Sequence, residues 1–504
     1  MLKPVLIAGQ WRAAHADGGF HADDPTTGQP LPDEYPISRW DDCDAALSAA
    51  AAIRDLPTDR IARFLNTYAA RIEARQTEIV DIAHQETALP KTPRLATIEM
   101  GRTTNQLRLA AVAALDGSWS LPTIDAKLNI RSRHAAIGPV VIFGPNNFPL
   151  AFNAISGGDF AAAIAAGNPV IAKAHPSHPG TTRLLAEEAV GALAEAQLPP
   201  ATVQLIYHMS RQDGLRLVSD PRVGASAFTG SRGAGLALKA AADAAGKPIY
   251  LEMSSLNPVV VLPGALRERA EKIADEFADS CLAASGQFCT KPGLLVLIAG
   301  DESEKFVAAI QQRFASRPSG PLLSSAVSQS FASSLKKLQS AGAKTLAGGE
   351  EIPGPSWRYA NTLLRVDGEH FLSQPEALQT EAFGNATLAV VARDANQASE
   401  ILAKLDGQLT GCIYSDTQAA DDQLYVLLSP ILRQRVGRLL NDKMPTGVAV
   451  TPAMNHGGPY PATGHPGFTA VGIPASMRRF SKLECFDNVR PHRLPPSLRD
   501  RQEK

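Results

Sequence analysis

The feature that most restricts the fold of this chain is a strand–loop–helix–strand pattern that begins near residue 138. The apolar run PVVIF (139–143) leads into the loop GPNNFP, the helix-like stretch FNAISGGDFAAAIAAG and a second short run, PVIAK (169–173). Short β-branched runs that alternate with helices are typical of a parallel sheet with crossover helices. We therefore predict an α/β fold built on a doubly wound sheet.

The same alternation continues along the chain. The runs VQLIY, ASAF and IYLEM extend the first unit to about residue 255, and PVVVL begins a second unit that includes LLVLI, LAVVAR and TGCIYS. A chain of 504 residues exceeds what one hydrophobic core usually organises, so roughly two to four structural units are expected. Residues 1–58 predict only short strands and turns, and helical periodicity begins near Ile61.

Composition and charge narrow the classes of function. Charged residues make up 20% of the chain and the formal net charge is −1, so neither a nucleic-acid partner nor a membrane partner is expected. The five cysteines are odd in number and widely spaced, which predicts neither a disulfide framework nor a metal site. The N-terminal sequence has no apolar secretory segment and no run approaches a membrane span, so a cytoplasmic protein is expected.

One cysteine stands in an open setting. Cys289 lies in ASGQFCTKPG, among small and polar neighbours that follow a long helix-like stretch. A nucleophilic cysteine needs access and a local field that favours the thiolate, whereas a buried cysteine behaves as a small apolar residue. From the residues alone, Cys289 is either a catalytic nucleophile or an inert thiol.

Three further segments lie where parallel strands are predicted to end, which is the edge at which such sheets bind ligands. In GPNNFP, an asparagine amide could stabilise a developing oxyanion, or it could serve only the turn. In FTGSRGAG, glycines ahead of a helix could admit a phosphate, although a lone Gly-rich turn is weak support. Glu252, at the end of IYLE, is either a general base or an ordinary surface glutamate.

Taken in order, these segments resemble the aldehyde dehydrogenase superfamily. The shared features are the asparagine loop, Lys173 at the end of the next strand, FTGS, Glu252, G-Q-x-C about 37 residues later, and EAFG (381–384). The resemblance implies an aldehyde dehydrogenase-like α/β fold with a Rossmann-type cofactor domain, an α/β catalytic domain and a small β oligomerisation element. The expected bounds are 1–117 and 137–253 for the cofactor domain, 254–450 for the catalytic domain, and 118–136 and 475–504 for the oligomerisation element. Members of this family are usually dimers or tetramers, so a homodimer or homotetramer is expected.

The resemblance also implies a mechanism for oxidising an aldehyde to a carboxylic acid. Cys289 would attack the aldehyde carbon, and Asn147 would hold the resulting oxyanion. After hydride transfer to a nicotinamide cofactor, Glu252 would activate water to hydrolyse the thioester.

Cofactor contacts follow from the same resemblance. Many NAD-preferring members carry a glutamate three residues after the lysine, and that position here is Pro176. A carboxylate there would repel a 2′-phosphate, so its absence permits NADP, with NAD as the alternative. The predicted cofactor contacts are Lys173, His175, Arg211, Gly230, Ser231, Glu381 and Phe383, and Arg211 and His175 are candidate partners for the 2′-phosphate.

A narrower resemblance concerns the substrate. LEMSSLNPVVVLPGAL, GQFCTKPGLL and PTGVAVTPAMNHGGPYPAT are similar to the branch of the family that oxidises α-ketoglutarate semialdehyde. Phe148, Phe288 and His456 are predicted at the substrate, and its remote carboxylate is predicted to bind either Arg102 or a backbone nest. Aliphatic or aromatic aldehydes are the alternative substrates. A cysteine hydrolase and a non-catalytic binding protein on the same scaffold are alternatives of a different class.

Overall fold

A computed structural model gives the fold, and it describes residues 1–500 of the chain. The strands of this part are, in chain order, β1 (Val5–Ile7), β2 (Gln10–Arg12), β3 (Ala16–Asp24), β4 (Gln29–Ser38), β5 (Thr123–Asp125), β6 (Ile130–Ala136), β7 (Val140–Phe143), β8 (Val170–Lys173), β9 (Val203–Ile206), β10 (His208–Met209), β11 (Ala225–Thr229), β12 (Ile249–Glu252), β13 (Pro258–Val261), β14 (Leu294–Ile298), β15 (Lys344–Ala347), β16 (Thr362–Asp367), β17 (Ala386–Ala392), β18 (Gln408–Tyr414), β19 (Val436–Asn441) and β20 (Ser481–Asp487).

The α-helices of the same part are α1 (Trp40–Ala51), α2 (Thr58–Ala74), α3 (Gln76–Thr87), α4 (Met100–Asp116), α5 (Gly158–Ala165), α6 (Pro179–Ala196), α7 (Arg211–Ser219), α8 (Arg232–Ala244), α9 (Pro263–Leu282), α10 (Asp301–Ser316), α11 (Ser325–Ser340), α12 (Gly368–Ser373), α13 (Pro375–Leu378), α14 (Ala395–Lys404) and α15 (Asp422–Arg433). A π-helical segment, Lys91–Glu99, leads into α4.

The first large sheet has the strand order β12-β11-β7-β8-β9-β1-β2. Its five strands from β12 to β9 are parallel, and β1 and β2 add antiparallel strands at one edge. The register pairs Phe143 with Lys173 and with Phe228, and it pairs Thr229 with Glu252. The carboxyl ends of these strands therefore lie along one edge, where open α/β sheets bind ligands.

The second large sheet has the order β15-β16-β17-β14-β13-β18-β19 and is parallel apart from β15. The apolar run LLVLI forms β14 residue for residue, and its side chains are buried because helices cover both faces. Continuous apolar runs of this kind are expected for parallel strands that are buried on both sides. The predicted α/β class is confirmed by the two sheets.

Helix α2 shows how the first sheet is covered. Ile61, Phe64, Leu65, Tyr68 and Ile72 recur at helical spacing and are buried in one core cluster with the strands of this sheet. Each large apolar side chain that is fully buried contributes about 1.5–3 kcal/mol, so this stripe anchors the helix strongly. The predicted periodicity from Ile61 is confirmed.

Two local expectations were wrong. Residues 1–58 were expected to hold only strands and turns, but Trp40–Ala51 forms α1, whose buried Cys43, Ala46, Leu47 and Ala50 follow helical spacing. The helix expected from residue 152 begins only at Gly158. Asn153 accepts a hydrogen bond from the backbone N–H of Ile155, and such local bonds compete with helix formation.

Two three-stranded sheets complete the structure, with the orders β10-β4-β3 and β20-β6-β5. β20 pairs antiparallel with β6 along its whole length. In the part of the chain that the structure describes, none of the helices has the length and apolar character needed to cross a bilayer.

Candidate active site

A cavity of about 890 Å³ lies where the two large sheets meet. The carboxyl ends of strands in the first sheet supply Phe143, Lys173 and Glu252 to its wall. Loops that precede strands of the second sheet supply Cys289, ahead of β14, and Glu381, ahead of β17. The volume is in the range of about 300–1,000 Å³ that is usual for small-molecule and cofactor sites.

The loop that carries Cys289 is held by hydrogen bonds from Asn257 and by close backbone packing at Gly286. The side-chain amide of Asn257 donates to the backbone oxygens of Cys289 (2.8 Å) and Lys291 (2.9 Å). Gly286 has a φ of 70°, and a Cβ at this position would lie 2.1 Å from the carbonyl oxygen of Gly384. Glycine is therefore required for the Cys289 loop to pack against the EAFG segment.

Cys289, His456 and Glu252 converge at one point. The Nε2 atom of His456 lies 3.5 Å from the sulfur of Cys289 and 2.9 Å from Oε1 of Glu252. His456 and Glu252 are 1% and 2% exposed, and Oε2 of Glu252 is buried without a hydrogen-bond partner. The structure thus joins three residues that are distant in sequence, and two of them, Cys289 and Glu252, face the cavity.

The environment of Cys289 acts on its acidity. Burial and the carboxylate of Glu252 raise the pKa of the thiol well above its ordinary value, and the guanidinium of Arg102 opposes this rise. Burial also raises the pKa of Glu381, to about 7. Ionisable groups with displaced pKa values in a cavity are typical of a functional site.

Asn147 is positioned by contacts on both sides of its peptide. Its side-chain Nδ2 donates to the carbonyl oxygen of Gln287 at 2.9 Å, and its own carbonyl oxygen accepts from Arg94 at 2.9 Å. Arg94 forms a buried ion pair with Glu99, whose Oε1 accepts from the N–H of Leu150 at 2.8 Å. One amide hydrogen of Asn147 is left for a ligand, because an amide group carries two.

An aromatic cluster lies beside the thiol. Phe148 packs edge to face on Phe152 and on Phe288, with ring centroids 5.2 and 5.4 Å apart. The Arg102 guanidinium lies 4.8 Å from the centre of the Phe152 ring, and its Nε and Nη2 atoms are buried without hydrogen-bond partners. Phe148, Phe288 and His456, which the sequence predicts at the substrate, are not among the residues that line the cavity.

The other end of the cavity carries the residues that the sequence predicts for a cofactor. Lys173, His175, Gly230, Ser231, Glu381 and Phe383 all line it. Ser231 caps α8 by accepting from the N–H of Ala234, so the first turn of this helix opens onto the cavity. Burial lowers the pKa of Lys173 to about 8 and the pKa of His175 well below its usual range. Arg211 is exposed at the start of α7 and is not among the lining residues.

Several residues of this site carried no sequence signal. Asn257 and Lys291 lie in segments that resemble the family, but only their hydrogen bonds to the backbone in the structure show what they do. Arg94 and Glu99 form a buried ion pair that helical periodicity does not predict. His21 and Asp23, on β3, also line the cavity.

The two sheets and the site define a class of protein: an α/β enzyme with a cysteine thiol in the wall of a cavity that is large enough for a nucleotide. The aldehyde dehydrogenase family model matches residues 11–424. The chain is 37% identical to "Alpha-ketoglutaric semialdehyde dehydrogenase 2" of Azospirillum brasilense, over 99% of this chain and 97% of the relative. It is 36% identical to "Alpha-ketoglutaric semialdehyde dehydrogenase" of Acinetobacter baylyi, over 90% and 87%.

A solved structure, that of 1-pyrroline-5-carboxylate dehydrogenase from Thermus with bound NAD, has the same fold. Its TM-score is 0.82 at 22% identity, over 96% of this chain and 92% of that one. The chain belongs to the aldehyde dehydrogenase family. It is an oxidoreductase that acts on small aldehydes with a nicotinamide cofactor.

Proposed function

We propose that the chain oxidises α-ketoglutarate semialdehyde to 2-oxoglutarate. Two relatives that carry this activity in their names match nearly the whole chain. The observation that carries the proposal is a pair of arginines, Arg102 and Arg438, whose guanidinium groups are partly unpaired in the structure. Arg102 donates to the carbonyl oxygen of Val448 and Arg438 to that of Pro445, each at 2.9 Å, and the Nε of each is buried without a partner.

These arginines suit an oxo acid better than an apolar aldehyde. The guanidinium of Arg102 opposes the rise in the pKa of Cys289, and it stacks on Phe152, whose ring lies 5.8 Å from that of His456. Burial lowers the pKa of Arg102 and of Arg438, and a bound carboxylate would restore the favourable environment that burial removes. A guanidinium can bind a carboxylate through two parallel hydrogen bonds.

In the proposed mechanism, Cys289 first loses its thiol proton to the Glu252–His456 pair, which passes it to solvent. The thiolate then attacks the aldehyde carbon and forms a thiohemiacetal. The free amide hydrogen of Asn147 donates to the new oxyanion and stabilises it. A bound nicotinamide would supply the acceptor for the hydride, and Cys289 would hold the acyl group as a thioester. Glu252 then removes a proton from water as the water attacks the thioester, and the carboxylic acid departs as the sulfur is released.

His456 is proposed to position both reacting groups. Its Nε2 is shared between Glu252 and Cys289, so it can hold the carboxylate while no substrate is bound and support the sulfur when the carboxylate moves. Imidazole is suited to this because one nitrogen can either donate or accept a hydrogen bond.

NADP is the proposed cofactor. Pro176 lines the cavity at the position where a glutamate would repel a 2′-phosphate, and Lys173 lines it nearby. Burial keeps the imidazole of His175 neutral, so it can donate a hydrogen bond to the phosphate but contributes no charge. Arg211 is exposed, so its side chain would have to turn towards the cavity to contact the phosphate. Asp23 lines the same cavity and favours NAD as the second candidate. Initial rates with each nucleotide at limiting concentration decide between them.

The arrangement of the sheets supports a division into three domains. We infer that 1–117 and 137–253 bind the cofactor and that 254–450 carries the thiol. The remaining segments, 118–136 and 475–504, contribute β5, β6 and β20, with residues 501–504 outside the described part. Exposed Leu121, Ile124 and Leu483 and the free edge of β20 favour pairing with a second copy of the chain. Light scattering of the purified protein tests for the proposed dimer or tetramer.

All five cysteines are free, which favours a reducing compartment such as the cytoplasm.

The decisive experiment for function is an assay of nicotinamide reduction with α-ketoglutarate semialdehyde, hexanal and benzaldehyde in parallel. Rapid turnover of the oxo acid that Cys289→Ala abolishes and the exposed-site control Cys485→Ser retains would support the proposal. Preference for hexanal or benzaldehyde would overturn the substrate and favour the apolar alternative, which the Phe148 cluster could accommodate.

A further inference from the structure

The three atoms that converge at the active site also form a set of metal ligands. The sulfur of Cys289, an imidazole nitrogen of His456 and a carboxylate oxygen of Glu252 all lie within 4.8 Å of one another. Thiolate, imidazole and carboxylate are the ligand types that Zn²⁺ prefers in proteins. The sequence predicts no metal site, because 167 positions separate Cys289 from His456 and 204 separate His456 from Glu252.

The spacing of these atoms suits tetrahedral zinc. Bond lengths of about 2.3 Å to sulfur and about 2.0 Å to nitrogen or oxygen place tetrahedral ligand atoms roughly 3.3–3.6 Å apart. The observed separations are 3.5 Å between Sγ and Nε2 and 2.9 Å between Nε2 and Oε1. Of these two distances, only the second has to widen, by a few tenths of an ångström, and the sulfur lies within 4.8 Å of a carboxylate oxygen of Glu252. The hydrogen bond between Nε2 and Oε1 would be replaced by two bonds to the metal.

A second observation points to an additional ligand at this place. Oε2 of Glu252 is buried without a hydrogen-bond partner, in a side chain that is 2% exposed. A buried carboxylate oxygen without a partner is costly, and a cation bound between the three side chains and held by both oxygens of Glu252 would remove that cost. Because Cys289 and Glu252 both line the cavity, an ion can enter from there and keep water as its fourth ligand.

We propose that Cys289, His456 and Glu252 form a binding site for Zn²⁺ that blocks the active site. Binding replaces the thiol proton with the metal, releases that proton to solvent and involves no change of oxidation state. The sulfur and the carboxylate are then both occupied, so neither can act on an aldehyde. Binding rests on the geometry alone, whereas the inhibition rests on the proposed roles of Cys289 and Glu252.

The binding test uses Co²⁺ as a spectroscopic probe of the full chain after treatment with a chelator. One equivalent of Co²⁺ should produce a thiolate-to-metal charge-transfer band together with the intense visible bands of four-coordinate cobalt, and Zn²⁺ should abolish both. Cys289→Ala should lose the charge-transfer band, and His456→Ala should weaken Co²⁺ binding by more than the roughly 10–100-fold cost of losing an outer-shell partner. The control Cys485→Ser changes an exposed thiol outside the cluster and should bind as the parent chain does.

Thermal unfolding provides a readout that does not depend on activity. Zn²⁺ should raise the Tm of the parent chain and of Cys485→Ser, but not that of Cys289→Ala, because only a folded site gathers the three ligands. Inhibition of aldehyde oxidation should reverse on addition of a chelator, which separates it from oxidation of the thiol. A cobalt band that survives Cys289→Ala, one that disappears in Cys485→Ser, or unchanged affinity in His456→Ala would each overturn the site. If the site forms but the chain oxidises no aldehyde, the proposed function fails and the metal site stands.

Discussion

Nε2 of His456 lies 2.9 Å from Oε1 of Glu252 and 3.5 Å from the sulfur of Cys289. One nitrogen cannot donate its single hydrogen fully to both partners. The nucleophile and the base are therefore coupled through one atom, and the state of Glu252 affects the state of Cys289. Changes at either residue should be visible in the chemistry of the other.

Glu252→Gln should separate the two halves of the reaction. The variant keeps the shape of the side chain but cannot accept the proton of water, so hydrolysis of the thioester should slow by about 10²–10⁴-fold. Hydride transfer in the first turnover should continue, and rapid-mixing absorbance should show a burst of reduced nicotinamide followed by a slow phase. Loss of the burst as well as the slow phase would contradict a role confined to hydrolysis.

The same variant should make the thiol more acidic. The Glu252 carboxylate raises the pKa of Cys289, and a neutral amide removes that effect. Because alkylation requires the thiolate, the midpoint of the pH profile for iodoacetamide labelling of Cys289 should move to lower pH in Glu252→Gln. Labelling in the background Cys485→Ser removes the exposed thiol from the measurement. A midpoint that stays in place or rises would show that the carboxylate does not act on the sulfur.

Asn147→Ala should lower kcat without a matching change in KM. The amide is already held by Gln287, so its second hydrogen is available for the oxyanion without reorganisation. Removal of one such donor typically costs about 10²–10³-fold in kcat. Asn146→Ala, at a neighbouring residue that also lines the cavity, is the matched control and should retain much more activity. Equal losses at the two positions would place the oxyanion contact elsewhere.

Most of the sheet architecture could be predicted from the chain. Strands such as β14 lie between other buried strands and therefore consist of short apolar runs, which can be recognised from the sequence alone. Helix α1 was missed because it follows a turn-rich segment and most of its buried apolar positions are small, so its helical spacing gives a weak signal. The start of α5 was misplaced because hydrogen bonds of Asn153 hold the preceding residues in turns.

The site was predictable only in part. Cys289, Glu252 and Lys173 lie at strand ends or in loops whose sequence is distinctive, and the structure brings them to one cavity. The contact between His456 and Glu252 joins segments 204 residues apart, and no local pattern encodes it. The role of Arg94 could not be predicted either, because its contacts with Glu99 and with the carbonyl oxygen of Asn147 arise from tertiary packing.

Lys173 should make cofactor binding depend on pH. Burial lowers the pKa of this amine to about 8, so it is protonated below that pH and neutral above it. A protonated Nζ binds the ribose and any 2′-phosphate more strongly than a neutral one does. KM for the nucleotide should therefore rise by up to about tenfold for each pH unit above about pH 8. Lys173→Arg stays charged throughout and should flatten the profile. A rise of the same size in Lys173→Arg would assign the titration to another group.

Arg102→Met should discriminate between the two candidate substrates. The side chain of methionine fills a similar volume beside Phe152 but offers no hydrogen-bond donors. A charged hydrogen bond contributes about 1.5–3 kcal/mol, so kcat/KM for α-ketoglutarate semialdehyde should fall by roughly 10–150-fold, mainly through KM. Hexanal, which has no carboxylate, should lose only the effect of the guanidinium on the thiol pKa, so its kcat/KM should fall by much less than that of the oxo acid. Arg102→Lys keeps the charge without the planar donor pair and should fall between the two. A parallel loss for hexanal would mean that Arg102 supports the thiol rather than the substrate, since its guanidinium lowers the pKa of Cys289 for every aldehyde alike.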